Sequence, residues 1–237
     1  MKKLFILAFL AVGMTANAET LVTVDDDPEK SLIDLGQGAD ENDRWSMHIN
    51  VGVNVPTSVP DGMSFAPFRS WEIGWTVAQY NYTPKDWKTT FSAGIGFNWR
   101  CYTLRGHSKM FAKDGNIVDV YKVKDIDEDM EDVCSDIHTT SLSMPLLIKQ
   151  SFSKKFAISL GAQLNWNYFA RIGNEFEIDD DEYDVTTKKI GQRPFTVDVL
   201  GIIEFDDFGI YCKYSPMSVL KTNRGPEFKS LSFGIYF

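Results

Sequence analysis

The stretch from Lys229 to Phe237 reads K-S-L-S-F-G-I-Y-F, and it decides how the rest of the chain is interpreted. Leu231, Phe233, Ile235 and Phe237 alternate with serine, glycine and tyrosine. A period of two is typical of a β-strand with two unlike faces. The stretch therefore predicts a strand that builds the last residues of the chain into a sheet.

Seven earlier segments alternate in the same way, and the connections between the eight segments are long and short in turn. The segments are 47–55, 71–77, 91–99, 140–148, 158–168, 195–205 and 208–214. The long breaks include 104–136 and 173–192, both rich in charged residues. This pattern predicts an all-β fold: an eight-stranded antiparallel up-and-down transmembrane β-barrel with short periplasmic turns and long extracellular loops.

The two faces of the predicted strands favour a membrane barrel over a secreted, lipocalin-like barrel, which would also show eight alternating strands. The apolar face carries no charged residue, and along the strands the opposite face carries only Glu72, Asp198, Glu204 and Lys213. A surface in contact with water carries roughly 25–35% charged residues. We therefore expect the polar face to point inward and the apolar face to meet lipid.

The first residues have the pattern of a targeting segment. Residues 1–18 combine Lys2 and Lys3, an apolar run and the small-residue site Ala16-Asn17-Ala18, which predicts a cleaved signal peptide. Its removal would change the net charge of the chain from −9 to −11, because the segment carries two lysines and no acid. That balance disfavours a nucleic-acid partner. We expect 19–45 to be an acidic, loosely ordered periplasmic lead-in, and 46–237 to be the barrel.

Seven charged residues are expected to face the lumen. The acids and bases nearly balance, and an interior of eight strands is just wide enough to be filled by side chains. Unpaired charges would be costly there, which favours a paired network and a plugged lumen over a polar conduit. The predicted lumen charges are Glu72, Asp198 and Glu204 against Arg100, Lys149, Arg171 and Lys213.

The three cysteines raise the question of a disulfide, because the signal peptide would direct them to an oxidising compartment. Cys101 ends the third predicted strand and Cys134 precedes the fourth, so an antiparallel pair would bring them close at the outer rim. Cys212 lies on the apolar face and is expected to stay free. Three unpaired thiols remain the alternative.

No catalytic or metal-binding motif is evident. The chain has only His48, His107 and His138, without a G-x-S-x-G context, an H-E-x-x-H motif or paired C-x-x-C motifs, so neither catalysis nor a zinc site is predicted. The acidic runs 125–136 and 175–184 do not match the EF-hand pattern. Solvated loops are expected there, with calcium binding as the alternative, and no cofactor is predicted.

Two stretches carry a resemblance to a known family. A last strand that closes on Phe resembles the terminal strand of bacterial outer-membrane barrels, and Leu142 to Lys149, L-S-M-P-L-L-I-K, resembles the mid-chain strand of the small outer-membrane β-barrel family that includes PorT-like proteins. The resemblance implies a location in outer-membrane lipid. It also implies that Phe233, Ile235 and Phe237 act as an assembly signal for the barrel-assembly machinery.

Three functions follow as hypotheses. The first is a structural or surface-interaction barrel that presents its loops to surface proteins. The second, implied by the resemblance, is a PorT-like accessory in protein secretion to the cell surface. The third is a lipid- or peptide-modifying outer-membrane enzyme, which the missing motifs disfavour, so the chain is not expected to be an enzyme.

Overall fold

The computed structural model describes residues 44–179, 181–206 and 208–237. The signal peptide predicted at 1–18 and nearly all of the predicted lead-in lie outside these residues. Within them, one short helix accompanies eleven strands. The elements are β1 (Trp45–Thr57), β2 (Trp71–Tyr82), β3 (Thr89–Thr103), β4 (Lys109–Asp114), β5 (Ile117–Lys122), α1 (Val123–Ile126), β6 (Glu131–Ser153), β7 (Phe156–Ile178), β8 (Asp181–Lys188), β9 (Phe195–Phe205), β10 (Phe208–Ser215) and β11 (Lys229–Tyr236).

Eight of these strands form a closed ring of antiparallel pairs, in the order β1-β2-β3-β6-β7-β9-β10-β11. β11 pairs back onto β1, with Phe233 opposite Val53, and thereby closes the ring. Beyond β11, Phe237 and Ile49 exchange two backbone hydrogen bonds of 2.8 and 2.9 Å. The prediction of an all-β fold is confirmed. No helix in the described part of the chain is long and apolar enough to cross a membrane.

The connections divide between the two ends of the ring. Those between β2 and β3, β6 and β7, and β9 and β10 are short and lie at one end, with Trp45 and Phe237; we call it the short-turn end. The other four connections are long and lie at the opposite, long-loop end. This asymmetry follows from antiparallel pairing of consecutive strands, because alternate connections fall at the same end.

The polarity of the ring is inverted relative to a water-soluble domain. Large apolar side chains on its outer face are exposed, Leu160 to 61% and Val199 to 55%. Small and polar side chains line much of the inside, because alternate residues of a strand point to opposite faces. The inside also holds an apolar cluster of Leu147, Leu200, Ile202, Tyr211 and Tyr236. The buried inward residues include Asn54, Glu72, Ser92, Asn98, Arg100, Thr139, Ser141, Ser143, Ser159, Gln163, Asn165, Thr196, Asp198, Lys213, Ser230 and Ser232.

Aromatic side chains encircle the outer face near both ends. At the short-turn end, Phe156 and Phe205 lie 5.6 Å apart between their ring centroids, and Phe205 lies 5.9 Å from Phe208. Towards the long-loop end, Trp166 and Tyr168 are 6.1 Å apart. Phe205 lies ten residue steps along β9 from Phe195, which corresponds to about 25 Å along the axis for a tilted strand.

The long loops are more ordered than the sequence indicated. β6 and β7 continue past the ring as a two-stranded ladder, in which Cys134 pairs with Glu175, and β8 adds to the free side of β7. The break expected at 104–136 contains the hairpin of β4 and β5, and the loop expected at 173–192 contains β8. We call β4, β5, α1, β8 and the ladder residues 131–136 and 172–178 the head.

An apolar cluster closes the long-loop end. Its members come from the tops of the ring strands and from all four long connections, so the loops pack on one another and are not independently solvated. We call this cluster the cap; it consists of Phe65, Tyr102, Leu104, Phe111, Val118, Ile137, Ala170, Ile172, Ile190, Leu220 and Phe228.

Candidate functional site

Four charged side chains meet inside the ring. Glu72 on β2 stands directly opposite Arg100 on β3, and its Oε1 lies 3.5 Å from the Arg100 Nε. Glu72 also pairs with Lys213 of β10, and Arg100 pairs with Asp198 of β9. The set carries two negative and two positive charges, and all four side chains are buried. These are four of the seven charged residues expected in the lumen.

Neutral side chains contact three of the four charged groups, namely Asp198, Arg100 and Lys213. The Asn165 amide donates to Asp198 Oδ2 over 2.7 Å, and the Arg100 Nη1 donates to the Ser215 hydroxyl over 3.1 Å. The Lys213 ammonium lies 3.4 Å from the Gln163 carbonyl oxygen. Because a buried charge is stable only when it is paired and hydrogen-bonded, the network favours one fixed arrangement of the interior.

A second ion pair lies nearer the short-turn end. Lys149 of β6 pairs with Glu204 of β9, and the Ser159 hydroxyl donates to Glu204 Oε1 over 2.7 Å. The side chains of Lys149 and Glu204 are 30% and 23% exposed, so water reaches this pair more readily than the four buried charges. Like the group of four, this pair carries no net charge.

Arg171 does not belong to the interior, which corrects the prediction. The pairing of β6 with β7 shifts register where Thr140 faces Phe169 and Leu142 faces Trp166. The extra residue reverses the faces of β7, so that Ile172 points inward and Arg171 does not. Its Nη1 instead approaches the Thr186 hydroxyl of β8 at 3.3 Å. The lumen therefore lacks the extra positive charge that the sequence predicted for it.

The interior is closed at the long-loop end. The cap covers the polar network, and a cavity of about 10 Å³ lies below it among residues that include Arg100, Tyr102 and Thr139. That volume holds about one water molecule. The arrangement can fix charges and cover this end of the ring, and the cavity beside Arg100 is too small for a solute larger than water.

The predicted disulfide between Cys101 and Cys134 is not present. The register pairs Cys101 with His138, four residues further along β6 than Cys134, which is about 13 Å of strand. A disulfide needs Cα atoms within about 7 Å. The Arg69 guanidinium donates to Cys134 Sγ over 3.0 Å, and burial raises the pKa of that thiol. Cys212 is a free, exposed thiol on the outer face.

The three histidines lie far apart in the fold. The His48 Nε2 lies 2.8 Å from the Ser46 hydroxyl, and its ring stacks on Tyr236. His107 lies in an exposed loop of the long-loop end, 4.0 Å from Asp132. His138 of β6 lies beside Asp136 and Cys101, a grouping that the sequence analysis did not foresee.

The terminal residues that the resemblance assigned to assembly lie on the outer face of β11. Phe233, Ile235 and Phe237 are 46%, 47% and 46% exposed. They form an apolar row at the seam where the last strand meets the first, which is a surface that an assembly factor could contact before the ring closes.

Neither acidic run forms a carboxylate cluster among the described residues. In the run at 175–184, Glu175 of β7 faces Asp184 of β8 and Glu177 faces Glu182, but no three of these described carboxylates bring oxygen atoms within 4.8 Å of one another. The run at 125–136 is divided between α1, a turn and β6. The only described grouping of three His, Cys, Asp or Glu side chains with converging ligand atoms is Cys101, Asp136 and His138.

Sequence reasoning missed the head and the cap, although one signal for the head was present. Gly115-Asn116 separates two short stretches that contain apolar residues, and a Gly-Asn pair in this setting is typical of a tight hairpin. It forms the turn between β4 and β5, with Gly115 at a φ of +54°. The Asn174 amide then donates to the Phe111 carbonyl over 2.9 Å and ties the hairpin to β7.

Comparison with known proteins gives a distant structural likeness. No family model and no curated protein matches the chain. Two similar solved structures are of Ail, the attachment invasion locus protein of Yersinia pestis. One has a TM-score of 0.36 and 11% identity. The other, in complex with the heparin analogue sucrose octasulfate, has a TM-score of 0.32 and 10% identity. Each match covers 81% of this chain and 97% of the other. Likeness at this level does not assign the chain to a family.

Proposed function

We propose that the ring is an eight-stranded outer-membrane β-barrel that anchors the head at the cell surface, where the head serves a surface-interaction or structural role. The observation that carries this proposal is the inverted polarity of the ring. An apolar outer face such as that of Leu160 and Val199 is unfavourable in water and favourable in lipid. In lipid every backbone polar group must be paired, and a closed ring of strands fulfils that requirement.

The short-turn end would then face the periplasm and the long-loop end the outside, as in barrels of this class. The two aromatic belts about 25 Å apart match the height of the apolar band of such barrels. The terminal row of Phe233, Ile235 and Phe237 would be read by the barrel-assembly machinery, and outer-membrane lipid would be the permanent partner of the outer face.

The structure favours binding by the head over transport through the barrel. The interior is filled by paired charges, neutral polar side chains and an apolar cluster. The head is held together by the cap and by the hydrogen bond between Phe111 and Asn174. β8 pairs with β7 along one side only among the described strands, and it exposes Tyr183 and Val185 to 46% and 44%. An ordered strand with exposed apolar side chains is a suitable surface for a macromolecular partner.

Photo-crosslinking on living cells tests this function. A photoreactive residue replaces Tyr183 on β8 in one strain and the exposed Lys85 at the short-turn end in a control strain. Irradiation should give adducts between position 183 and a surface macromolecule, and these should be missing at position 85. Adducts at position 85 without any at position 183 would contradict the proposed orientation and the proposed role of the head.

The PorT-like role in secretion remains a second proposal and rests on the sequence resemblance alone. Co-purification of secretion subunits with the detergent-solubilised protein would favour it. An enzymatic role is not proposed. His48 contacts the Ser46 hydroxyl, but its Nδ1 has no hydrogen-bond partner among the described residues, and His107 lies near Asp132 in an exposed loop.

A further inference from the structure

Three side chains from two neighbouring strands converge just beyond the tryptophans at the long-loop end. Cys101 of β3 stands directly opposite His138 of β6, and Asp136 lies two residues along β6, hence on the same face. The Cys101 Sγ lies 3.7 Å from the His138 Nε2, and that nitrogen lies 3.0 Å from the Asp136 Oδ1. The three ligand atoms all lie within 4.8 Å of one another.

The three side chains converge on one point and are not arranged as a catalytic triad. In a nucleophile–histidine–acid triad the acid and the nucleophile bind opposite nitrogens of the ring. Here both Cys101 and Asp136 approach the same nitrogen, Nε2. The contact with Asp136 is not aligned as a hydrogen bond, and this buried Oδ1 has no hydrogen-bond partner in the described part of the chain.

We propose that Cys101, Asp136 and His138 bind a zinc ion, a site that the sequence analysis did not predict. Zinc is bound by thiolate, imidazole and carboxylate at about 2.0–2.3 Å, so tetrahedral ligand atoms lie about 3.4–3.6 Å apart. The observed distance from Cys101 Sγ to His138 Nε2, 3.7 Å, is slightly longer than this range, and that from His138 Nε2 to Asp136 Oδ1, 3.0 Å, is slightly shorter. A thiolate, a carboxylate and a neutral imidazole also compensate the two charges of Zn²⁺, and three protein ligands leave the fourth position for water.

The site is partly open to solvent, and Arg171 of β7 stands opposite His138 on the side away from Cys101. The side chains of His138 and Asp136 are 24% and 21% exposed, whereas Cys101 is nearly fully buried. The Trp71 ring lies edge-on to the imidazole at 5.8 Å between ring centroids and helps to orient it. Trp99 pairs with Thr140, two residues nearer the short-turn end, so the site lies at the boundary of the apolar band and is reached from the long-loop side.

Metal titration of the folded, tag-free protein in detergent tests the site. After treatment with a chelator, Co²⁺ serves as a spectroscopic substitute for Zn²⁺ and should give a near-ultraviolet thiolate-to-cobalt absorption band. Zn²⁺ should abolish that band by displacing the cobalt. Cys101→Ser should remove the band. Asp136→Asn and His138→Ala should each weaken binding by about 100-fold or more, because even the loss of a residue that only supports a ligand costs about 10–100-fold.

Matched controls separate this site from other thiols and histidines. Cys134→Ser, Cys212→Ser and His107→Ala should leave the band and the affinity unchanged. Retention of the band in Cys101→Ser, its loss in Cys134→Ser, or the absence of any band in the wild-type protein would overturn the proposal. The heat-induced shift in gel mobility confirms that each variant is folded; if Cys101→Ser fails to fold, the affinities of the Asp136 and His138 variants decide the matter.

Discussion

At the residue scale, Asp198 has the most consequential position in the interior. It is fully buried, pairs with Arg100 and accepts a hydrogen bond from Asn165. We predict that Asp198→Asn lowers the free energy of unfolding by about 3–5 kcal/mol, because removing one partner leaves a buried charge uncompensated. Urea unfolding of the protein in detergent measures the change.

Arg171 provides the matched control for that prediction. It carries a charge of the kind expected in the lumen but lies outside the network, with its Nη1 near Thr186. Arg171→Gln should therefore change the free energy of unfolding by no more than about 0.5 kcal/mol. Equal losses in the two variants would mean that Arg171 faces the interior after all.

Residue-scale features were the least predictable from the sequence. The inward direction of Glu72, Asp198 and Lys213 follows from period-two alternation alone. Arg171 was assigned to the wrong face because the register shift on β7 reverses that alternation. No residue type near the shift indicates its presence in the sequence. The meeting of Cys101 with His138 depends on the register between two strands that a long connection separates, so spacing along the chain did not reveal it.

At the scale of elements, the hairpin of β4 and β5 depends on the cap. Phe111 is fully buried and packs near Phe65, with ring centroids 6.3 Å apart. We predict that Phe111→Ala destabilises the head by about 3–5 kcal/mol, because the large side chain leaves a cavity. Hydrogen exchange should accelerate at 109–122 while the ring strands stay protected. Val185→Ala, at an exposed position of β8, should leave the exchange of that hairpin unchanged.

The outer face of β9 offers a test of depth in the membrane. Val199 lies between the two aromatic belts, and Phe195 lies on the same face at the long-loop end. Val199→Arg should cost about 2–4 kcal/mol at the bilayer midplane, and the charge in Phe195→Arg about 1 kcal/mol or less. Refolding into lipid vesicles measures both variants. A reversed order would contradict the proposed position of the membrane.

The ring strands were predictable because each has one apolar face and one small, polar face over seven or more residues. β4, β5 and β8 were not predicted, because their segments are short, rich in charge and partly exposed. The cap was missed for a related reason. Its loop members, such as Leu220 and Phe228, are isolated apolar residues without a period, and only the fold brings them together.

At the scale of the whole molecule, the filled interior determines permeability. Two neutral groups of paired charges occupy the ring, and the cap covers its long-loop end. We predict that the pure protein in planar bilayers gives no steady current, because eight strands enclose only enough space for their own side chains. A lasting porin-sized conductance would mean that the interior opens or that several chains form a pore.

The central claim is that the outer face of the ring contacts lipid, while the ladder of β6 and β7 rises into water. Spin labels at single cysteines along β7, in a variant without the three native cysteines, test it most directly in lipid vesicles. Labels at Ile158, Leu160 and Leu164 should be relaxed by oxygen, which concentrates in lipid, and those at Arg171 and Glu175 by a water-soluble nickel chelate. If the nickel chelate reaches all five positions equally, the ring lies in water and the proposed membrane location is wrong.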